Sequence, residues 1–529
     1  MNVTSEILRR YVKIGIALSA EKNISRLLEM IVSEARYLSS ADAGTLYLVD
    51  KEKKALRFAI MQNTAMEKEA DTEKKPMVPL KDVPLYDSDG NENHANVSTH
   101  VALTGKPVNI PDVYKAGEFD FTGPRAYDAA TGYRSTSMLV IPLKNHESSI
   151  IGVIQLLNAI DTDTGEIIPF NAERGVMVAS LSSLAAVALT NAQLITDLKN
   201  LFNAFIKSIA TAIEQKSPFT GGHIKRVVDL TMAIAAGINE KASGPFRDVS
   251  FTNDEIEELR ISAWMHDVGK IAVPEHIVNK ETKLHVLCDQ FNVIETRYAL
   301  IRQLTETAFL NKKIRMLTSG EASDPAIDQL DRDLNEQLKE LDQECQFLKT
   351  CNQPGEFLDD AAISRIREIS KKTYEVDGQP MPFLTPFEVE NICIRRGTLN
   401  ATERKTIENH ALMTLNILEA LPFPKNLRHV PDYAGGHHER PDGTGYPRGL
   451  SGDDLSLQAR IMAIADIFES LTAKDRPYRE PIRLSEAIRI MEQMKKDNQI
   501  DPDIFELFKT DHIFRRYAEK ELHPGQIDL

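Results

Sequence analysis

The sequence predicts an α+β domain with an antiparallel sheet, then a long connecting helix, then a larger region built mainly of helices. Near the N-terminus, apolar residues switch from helical spacing to strict alternation. Residues 172–215 contain one glycine and no proline, as expected for an uninterrupted helix. Beyond residue 216, helical spacing of apolar residues recurs to the C-terminus. We place the domains at residues 1–170, 171–215 and 216–529.

The first domain is predicted to begin with two helices, because apolar residues recur every three or four positions over residues 7–18 and 23–38. Alternating segments at residues 44–50 and 55–60 predict a β-hairpin. A second pair of strands is predicted at residues 137–143 and 150–157. Helices that flank paired strands are typical of an α+β sheet domain.

Composition narrows the class of protein. The 529 residues include 63 Lys and Arg against 78 Asp and Glu, a net charge of −15. Such an acidic chain is a poor candidate for binding a nucleic-acid polymer, although metal ions or a local basic cluster would let a pocket hold an anionic ligand. The four cysteines lack paired spacing, which argues against disulfides and thiolate zinc sites. With neither a long apolar run nor a signal-peptide layout, we expect no membrane span and a cytoplasmic protein.

Three segments of the first domain resemble a GAF domain of the subtype found in cyclic-nucleotide phosphodiesterases. They are residues 101–113, 132–138 and 152–158. The resemblance implies a sensor that binds a small molecule. However, Ala159 and Arg174-Gly175 replace a lysine and an acidic pair that this subtype often carries. A purely structural, dimerising GAF domain therefore stays open as the alternative.

The connecting helix carries an apolar stripe with steps of four and three residues. The stripe contains Leu194, Leu198, Leu201 and Phe205, and continues at Ser208 or Ile209. Such spacing is typical of a two-stranded coiled coil, although the repeat is short. We expect a homodimer through the GAF domain and this helix; the alternative is a helix that packs only on its own domains.

Histidines and carboxylates recur in the second half of the chain. They include His266-Asp267, His437-His438 and Asp466. Imidazole and carboxylate without thiolate suit iron, manganese, zinc or nickel. Asp466 stands among Ile464, Ala465 and Ile467, where a buried carboxylate is costly unless it pairs with a cation or a metal.

Residues from about 200 to 529 resemble an HD-GYP domain, the branch of the HD phosphohydrolase superfamily that degrades cyclic di-GMP. The matching segments are residues 266–270, 437–447 and 475–479. The resemblance implies an all-α phosphodiesterase that cuts cyclic di-GMP to linear pGpG, with onward cleavage to GMP left open. The alternatives are a non-catalytic receptor of cyclic dinucleotides and a hydrolase of another phosphoester such as cGAMP.

The resemblance also implies two divalent metal ions, iron or manganese first, with zinc, nickel or magnesium as alternatives. One ion would be held by His223, His266, Asp267 and Asp466. The other would be held by Asp267, His410, His437 and His438, so that Asp267 bridges the pair. Some members hold a third metal through a glutamate four residues before the first histidine. Phe219 occupies that position here, which favours two metals.

Catalysis is assigned to Asp267 together with Lys270, which follows it by one helical turn and is placed to hold the scissile phosphate. A lysine that closes a helix C-terminus is the alternative. Glycines in the segment 442–447 let a loop approach phosphate or base closely. Arginine forks suit phosphate or a guanine edge. The predicted substrate contacts are Lys270, Gly443, Gly445, Tyr446, Arg476 and Arg479.

Residues 285–390 interrupt the family pattern as an acidic insertion with 12 Lys and Arg against 20 Asp and Glu. Helical stripes at residues 294–304 and 327–348, with a turn between them, predict an antiparallel helical hairpin. The insertion has no residue suited to the chemistry. It is a stabilising element, a dimer contact, a lid, or a docking surface for a basic protein partner.

Overall fold

The computed structural model describes residues 3–21, 23–64, 82–216, 221–320, 323–355, 357–473 and 482–529. Internal contacts divide the chain into two units, residues 1–202 and residues 203–529. The sequence-based domain bounds at residues 170 and 215 stay predictions.

The first unit contains short helices around one sheet. Its helices are α1 (Val3–Ala20), α2 (Ile24–Ser39), α3 (Val97–Thr104) and α4 (Thr122–Thr131). Its strands are β1 (Ala41–Asp50), β2 (Ala55–Asn63), β3 (Val83–Pro84), β4 (Val108–Ile110), β5 (Met138–Lys144), β6 (Ile150–Ile160) and β7 (Ile167–Ile168). The strands pair antiparallel in the order β3-β2-β1-β6-β5-β4, and β7 pairs with β6.

Apolar residues cover both faces of this sheet. On one face, α2 buries Leu27 and Ile31 against the sheet, beside residues of α1. On the other face, Val97 and Val101 of α3 pack on Val153 of β6. The predicted α+β domain with an antiparallel sheet is confirmed, because alternation along the strands supplies one apolar face to each layer.

The connecting helix α5 (Ala172–Glu214) is continuous over 43 residues. Residues near its start, such as Leu181, are buried in the first core, and residues near its end, such as Ile206, are buried in a cluster of the second unit. Between them the stripe is open to solvent, with Leu194, Leu198 and Leu201 at 56%, 66% and 55% exposure.

The same helix bears on the expectation that no segment would suit a membrane. Among the described residues, Ala172–Glu214 is the one helix long and apolar enough to cross a bilayer, by length and composition only. About 44% of its most apolar window is buried within the protein. Core packing therefore accounts for part of its apolar character, as in a core helix that passes the same test.

The second unit is built mainly of helices. They are α6 (His223–Asn239), α7 (Asn253–Met265), α8 (Glu275–Val278), α9 (Phe291–Ser319), α10 (Asp324–Asn352), α11 (Asp360–Ser370), α12 (Pro386–Ile392), α13 (Ala401–Glu419), α14 (Val430–Gly435), α15 (Leu457–Thr472), α16 (Leu484–Lys496), α17 (Pro502–Thr510) and α18 (Ile513–Glu521). A 3₁₀ helix, Val268–Ala272, follows α7. The main core joins α6, α7 and α15 to the C-terminal helices.

The insertion is more than the expected hairpin. Helices α9 and α10 form that hairpin, but α11, α12 and the strands β8 (Thr373–Val376) and β9 (Gln379–Pro382) belong to the same part of the chain. Asp377 and Gly378 make the tight turn between the strands, with φ of 51° and 76°. An Asp-Gly pair in this conformation is a strong signal for a β-hairpin, but strands of four residues are too short to show alternation.

Candidate metal centre

The rings of three histidines are oriented by the same kind of hydrogen bond, from Nδ1 to a nearby backbone carbonyl. His266 Nδ1 donates to the carbonyl of Ala263 at 2.7 Å, His437 Nδ1 donates to that of Ala434 at 2.6 Å, and His410 Nδ1 donates to that of Ile407. Each acceptor lies three residues earlier in the chain. The hydrogen bond fixes the ring and leaves Nε2 as the free nitrogen, which is how metal-binding histidines are commonly oriented.

The free nitrogens are buried and have no partner. Nε2 of His266, His410 and His437 and Oδ1 of Asp267 make no hydrogen bond among the residues that the structure describes. Burying four such atoms without partners is costly, because each loses its bonds to water. Divalent cations would satisfy all four at once, so the donor set fits metal ions.

The donors form two groups. In the first, ligand atoms of His223, His266 and Asp267 all lie within 4.8 Å of one another. His223 Nε2 is 3.4 Å from Asp466 Oδ1, which adds a second carboxylate. Four donors of mixed nitrogen and oxygen type are therefore available on this side.

The second group consists of His410, His437 and His438, again within 4.8 Å. Asp267 faces both groups: its Oδ1 is 3.4 Å from His410 Nε2, and its Oδ2 is 3.5 Å from His266 Nε2. The structure thus brings together all seven residues that the sequence assigned to metal binding, with Asp267 between the two groups.

Electrostatics keeps four of these side chains in the protonation states that bind metals. His223 is the exception: burial alone would lower its pKa, but Glu469 and the neighbouring aspartates raise the pKa well above its usual range in the metal-free protein. Burial lowers the pKa of His437 far below its usual range and that of His438 to about 3, so both rings are neutral near pH 7. Burial alone would raise the pKa of Asp267 and Asp466. Lys270 and His266 instead hold the pKa of Asp267 well below its usual value, and His223 does the same for Asp466.

Glu469 belongs to the site and was missed by the sequence analysis. Its carboxylate is fully buried, accepts from Nδ1 of His223, and accepts from Nε of Arg226 at 2.7 Å. Glu469 thereby orients His223 as the backbone carbonyls orient the other rings. The available signal was its position one helical turn after Asp466 on the apolar helix α15, where the cost of burying a carboxylate applies equally.

Gly269 and Thr414 join the two ligand-bearing segments and were also missed. The Gly269 N–H donates to Thr414 Oγ1 at 3.0 Å, and that hydroxyl donates to the carbonyl of His266 at 3.0 Å. A Cβ added at Gly269 would lie 2.0 Å from the carbonyl oxygen of His410. Only glycine permits this approach, so it sets the spacing between His266 and His410.

The predicted substrate contacts are placed in part. Lys270 Nζ lies 2.6 Å from Asp267 Oδ2, and the lysine side chain is 28% exposed. The ring of Tyr446 lies 4.9 Å from that of His438. Gly443 has a φ of 74°, and a Cβ added at Gly445 would lie 2.4 Å from the backbone N of Arg440. Arg476, Arg479 and Phe219 lie outside the described residues.

Family models locate two domains that agree with this geometry. The GAF domain matches residues 23–189, and the HD domain matches residues 383–504, which include four of the seven predicted ligand residues. The chain carries a GAF domain and an HD domain. The resemblance drawn from the sequence motifs is confirmed at this level.

Curated relatives match part of the chain at moderate identity. The 3'3'-cGAMP-specific phosphodiesterase 3 of Vibrio cholerae is 43% identical over 113 residues, 21% of this chain and 24% of that protein. A probable cyclic di-GMP phosphodiesterase of the same species is 34% identical over 150 residues, 26% of this chain and 34% of its own length. The cyclic di-GMP phosphodiesterase of Thermotoga maritima is 33% identical over 142 residues, 26% of this chain and 38% of its own. The chain thus matches only about a quarter to two fifths of these relatives.

Proposed function

We propose that this chain is a metal-dependent phosphodiesterase that hydrolyses cyclic di-GMP to linear pGpG under the control of its GAF domain. One observation carries the proposal: among the described residues, the buried Nε2 atoms of His410 and His266 have no hydrogen-bond partner and lie 3.4 Å and 3.5 Å from the two oxygens of Asp267. Binuclear centres with a bridging carboxylate are suited to in-line displacement at phosphorus.

The proposed division of labour follows from the contacts. His223, His266, Asp267 and Asp466 would hold one divalent ion, and Asp267, His410, His437 and His438 the other. We take iron or manganese as the first candidates. When bound, such ions neutralise phosphate charge and lower the pKa of an attacking water.

The chain's own residues then bind and orient the ester. The Lys270 ammonium, beside Asp267, faces a phosphate oxygen as a compact positive charge. The loop with Gly443 and Gly445 is held open by Glu439, which accepts from the backbone N of Arg448 at 2.7 Å and of Leu450 at 2.9 Å. That loop presents Tyr446 next to His438, where a guanine base can stack.

A second substrate has specific support. The relative with 43% identity is named for 3'3'-cGAMP, so the chain is a candidate for that cyclic dinucleotide as well. The two substrates differ in one base, and the described part of the site does not distinguish them.

The test uses the full chain, purified without oxygen and loaded in turn with iron or manganese. It is incubated with cyclic di-GMP and 3'3'-cGAMP in separate and mixed reactions, and the products are identified by mass spectrometry. We expect linear pGpG to form faster than linear product from cGAMP, and Asp267→Asn to form neither. Binding of cyclic di-GMP without any linear product would instead indicate a receptor.

We further propose a homodimer in the cytoplasm, joined along the exposed stripe of α5. Leu194, Leu198 and Leu201 supply an apolar seam, and Asn191 falls seven positions before Leu198 on the same stripe. A single asparagine in such a seam fixes the register of parallel dimers. A small-molecule ligand of the GAF domain and a protein partner at the insertion complete the proposed set of partners.

A further inference from the structure

Lys216, just past the end of α5, is hydrogen-bonded to the segment that follows Asp267. Its ammonium donates to three backbone carbonyls: Val273 at 2.6 Å, Ile271 at 2.8 Å and Lys270 at 3.3 Å. These carbonyls end the 3₁₀ helix Val268–Ala272. Charged donors make stronger hydrogen bonds than neutral ones, and a cation at a helix C-terminus is favoured by the helix dipole.

That short helix carries two of the proposed site residues. Asp267 is its N-cap, and Lys270 lies in its middle. Five residues offer little rigidity of their own, because a single turn pays the cost of helix initiation for few hydrogen bonds. The position of Asp267 and Lys270 therefore depends on what holds the two ends of the turn, and Lys216 holds one of them.

Two further contacts hold the same helix end, and one of them joins it to the segment that carries His223. Glu214 Oε1 accepts from the backbone N of Ile224, next to His223, at 2.9 Å. Asn279 Nδ2 donates to the carbonyl of Lys216 at 3.2 Å and fixes the lysine backbone. Glu214 and Lys216 also line one cavity together with His223, Asp267 and Lys270.

We propose that Lys216 is a positioning residue. Its hydrogen bonds fix the C-terminal end of the 3₁₀ helix, and thereby hold Asp267 and Lys270 in the orientation that the proposed reaction requires. The same hydrogen bonds connect the end of α5 to the site. The inference deepens the proposed phosphodiesterase function and rests on it for the activity readout. According to this proposal, the hydrogen bonds of the Lys216 ammonium determine the geometry of residues 267–270, and the packing of the aliphatic part of the lysine side chain does not.

The test compares three variants of the full chain. Lys216→Met removes the ammonium but keeps much of the stem, Lys216→Arg keeps a cationic donor, and Lys199→Met changes an exposed lysine on the same helix. The measurements are kcat and KM for cyclic di-GMP, Mn²⁺ affinity, thermal midpoint, and amide hydrogen exchange of residues 268–272 in the metal-free protein.

For Lys216→Met we expect kcat and Mn²⁺ affinity to fall by about tenfold each, the range known for residues that orient metal ligands. KM and the thermal midpoint should change little, and exchange of residues 268–272 should accelerate. Lys216→Arg should recover most of both losses, and Lys199→Met should match the wild type.

Unchanged Mn²⁺ affinity and exchange in Lys216→Met would overturn the proposal. So would equal losses in Lys216→Met and Lys216→Arg that follow a lowered thermal midpoint, since packing would then explain them. If the wild type hydrolyses no cyclic dinucleotide, the proposed function fails, while Mn²⁺ affinity and hydrogen exchange still decide the role of Lys216.

Discussion

At the scale of single residues, the site depends on groups that orient the ligands as much as on the ligands. Glu469 has this role for His223, and substitutions of such orienting carboxylates cost about 10–100-fold in metal affinity. We expect Glu469→Gln to lower Mn²⁺ affinity within that range and to reduce turnover, measured by titration of metal-free protein. Glu519→Gln, on an exposed part of α18, serves as the matched control.

Glu469 also makes the stability of the metal-free protein depend on pH. Burial alone would raise its pKa, but His223 and Arg226 bring the pKa below its usual value of 4.5. The unfolded chain then binds this proton at higher pH than the folded chain. The stabilisation is therefore present above about pH 4.5 and is lost as the pH falls further. Between about pH 5 and about pH 3.5, where His223 is protonated in both the folded and the unfolded chain, the thermal midpoint should drop more for wild type than for Glu469→Gln. Equal drops would contradict the assignment.

Gly269 sets the distance between the two ligand-bearing segments. In Gly269→Ala, the new methyl group would overlap the carbonyl oxygen of His410 and the backbone N of Thr414, neither of which can rotate away. We expect a loss of about 2 kcal/mol or more in the free energy of unfolding, together with loss of metal. Gly175→Ala is the control: it lies in α5 with nothing within 4 Å of the added Cβ, so it should stabilise by up to about 1 kcal/mol. Denaturant unfolding compares the two.

The proposed ligand residues, which the structure brings together, could be predicted from the sequence because their motifs are specific, and Asp466 stands out as a carboxylate in an apolar helix. The orienting groups could not be identified so directly. The carbonyls of Ala263, Ile407 and Ala434 are backbone groups without a residue signature. The role of Glu469 can be recognised only when α6 and α15 are packed together, and that of Thr414 only when α7 and α13 are packed together.

At the scale of elements, the insertion is divided into a proximal and a distal part. The proximal part is joined to the site's support by the residues that flank it: Lys280, just before the insertion, contacts Glu403 through Nζ at 2.7 Å and Asn391, just after the insertion, at 3.1 Å. Glu403 closes the N-terminus of α13, the helix that carries His410. In the distal hairpin, residues 306–337, the described ion pairs join residues of α9 and α10 only, as between Lys313 and Asp331 at 2.8 Å.

We therefore expect the distal hairpin to be dispensable for chemistry. Replacing residues 306–337 by a short glycine-serine linker should leave metal content and turnover unchanged, as measured by elemental analysis and a product assay. Lys280→Met should instead reduce both, because it removes the buried cation beside Glu403. If the shortened protein folds but binds no metal, the distal hairpin supports the site after all.

Long elements were predictable and short ones were not. The spacing of apolar residues predicted α5, α9 and α10, which are 43, 29 and 29 residues long. The strands β8 and β9 and the helix α12 are four to seven residues long. Their positions are decided by the insertion's own core, which local sequence does not specify.

At the scale of the whole molecule, the exposed stripe of α5 predicts self-association. Leu198→Asp places a charge in the centre of the proposed seam and should shift the protein from dimer to monomer in sedimentation velocity. Lys199→Asp adds a carboxylate to the neighbouring exposed position outside the stripe and should leave the dimer intact. A monomeric wild type, or a dimeric Leu198→Asp variant, would contradict the proposed seam.

The order of the ligands along the chain has a consequence for biosynthesis. His223 emerges from the ribosome early, but Asp466 follows 243 positions later, and the whole insertion is translated between Asp267 and His410. The proposed ligands that are synthesised first therefore lack the other ligands until most of the polypeptide has been made. For the proposed metal centre, loading with metal is consequently one of the last events in the maturation of a newly synthesised copy, and a truncated product ending before α15 would lack part of the proposed ligand set.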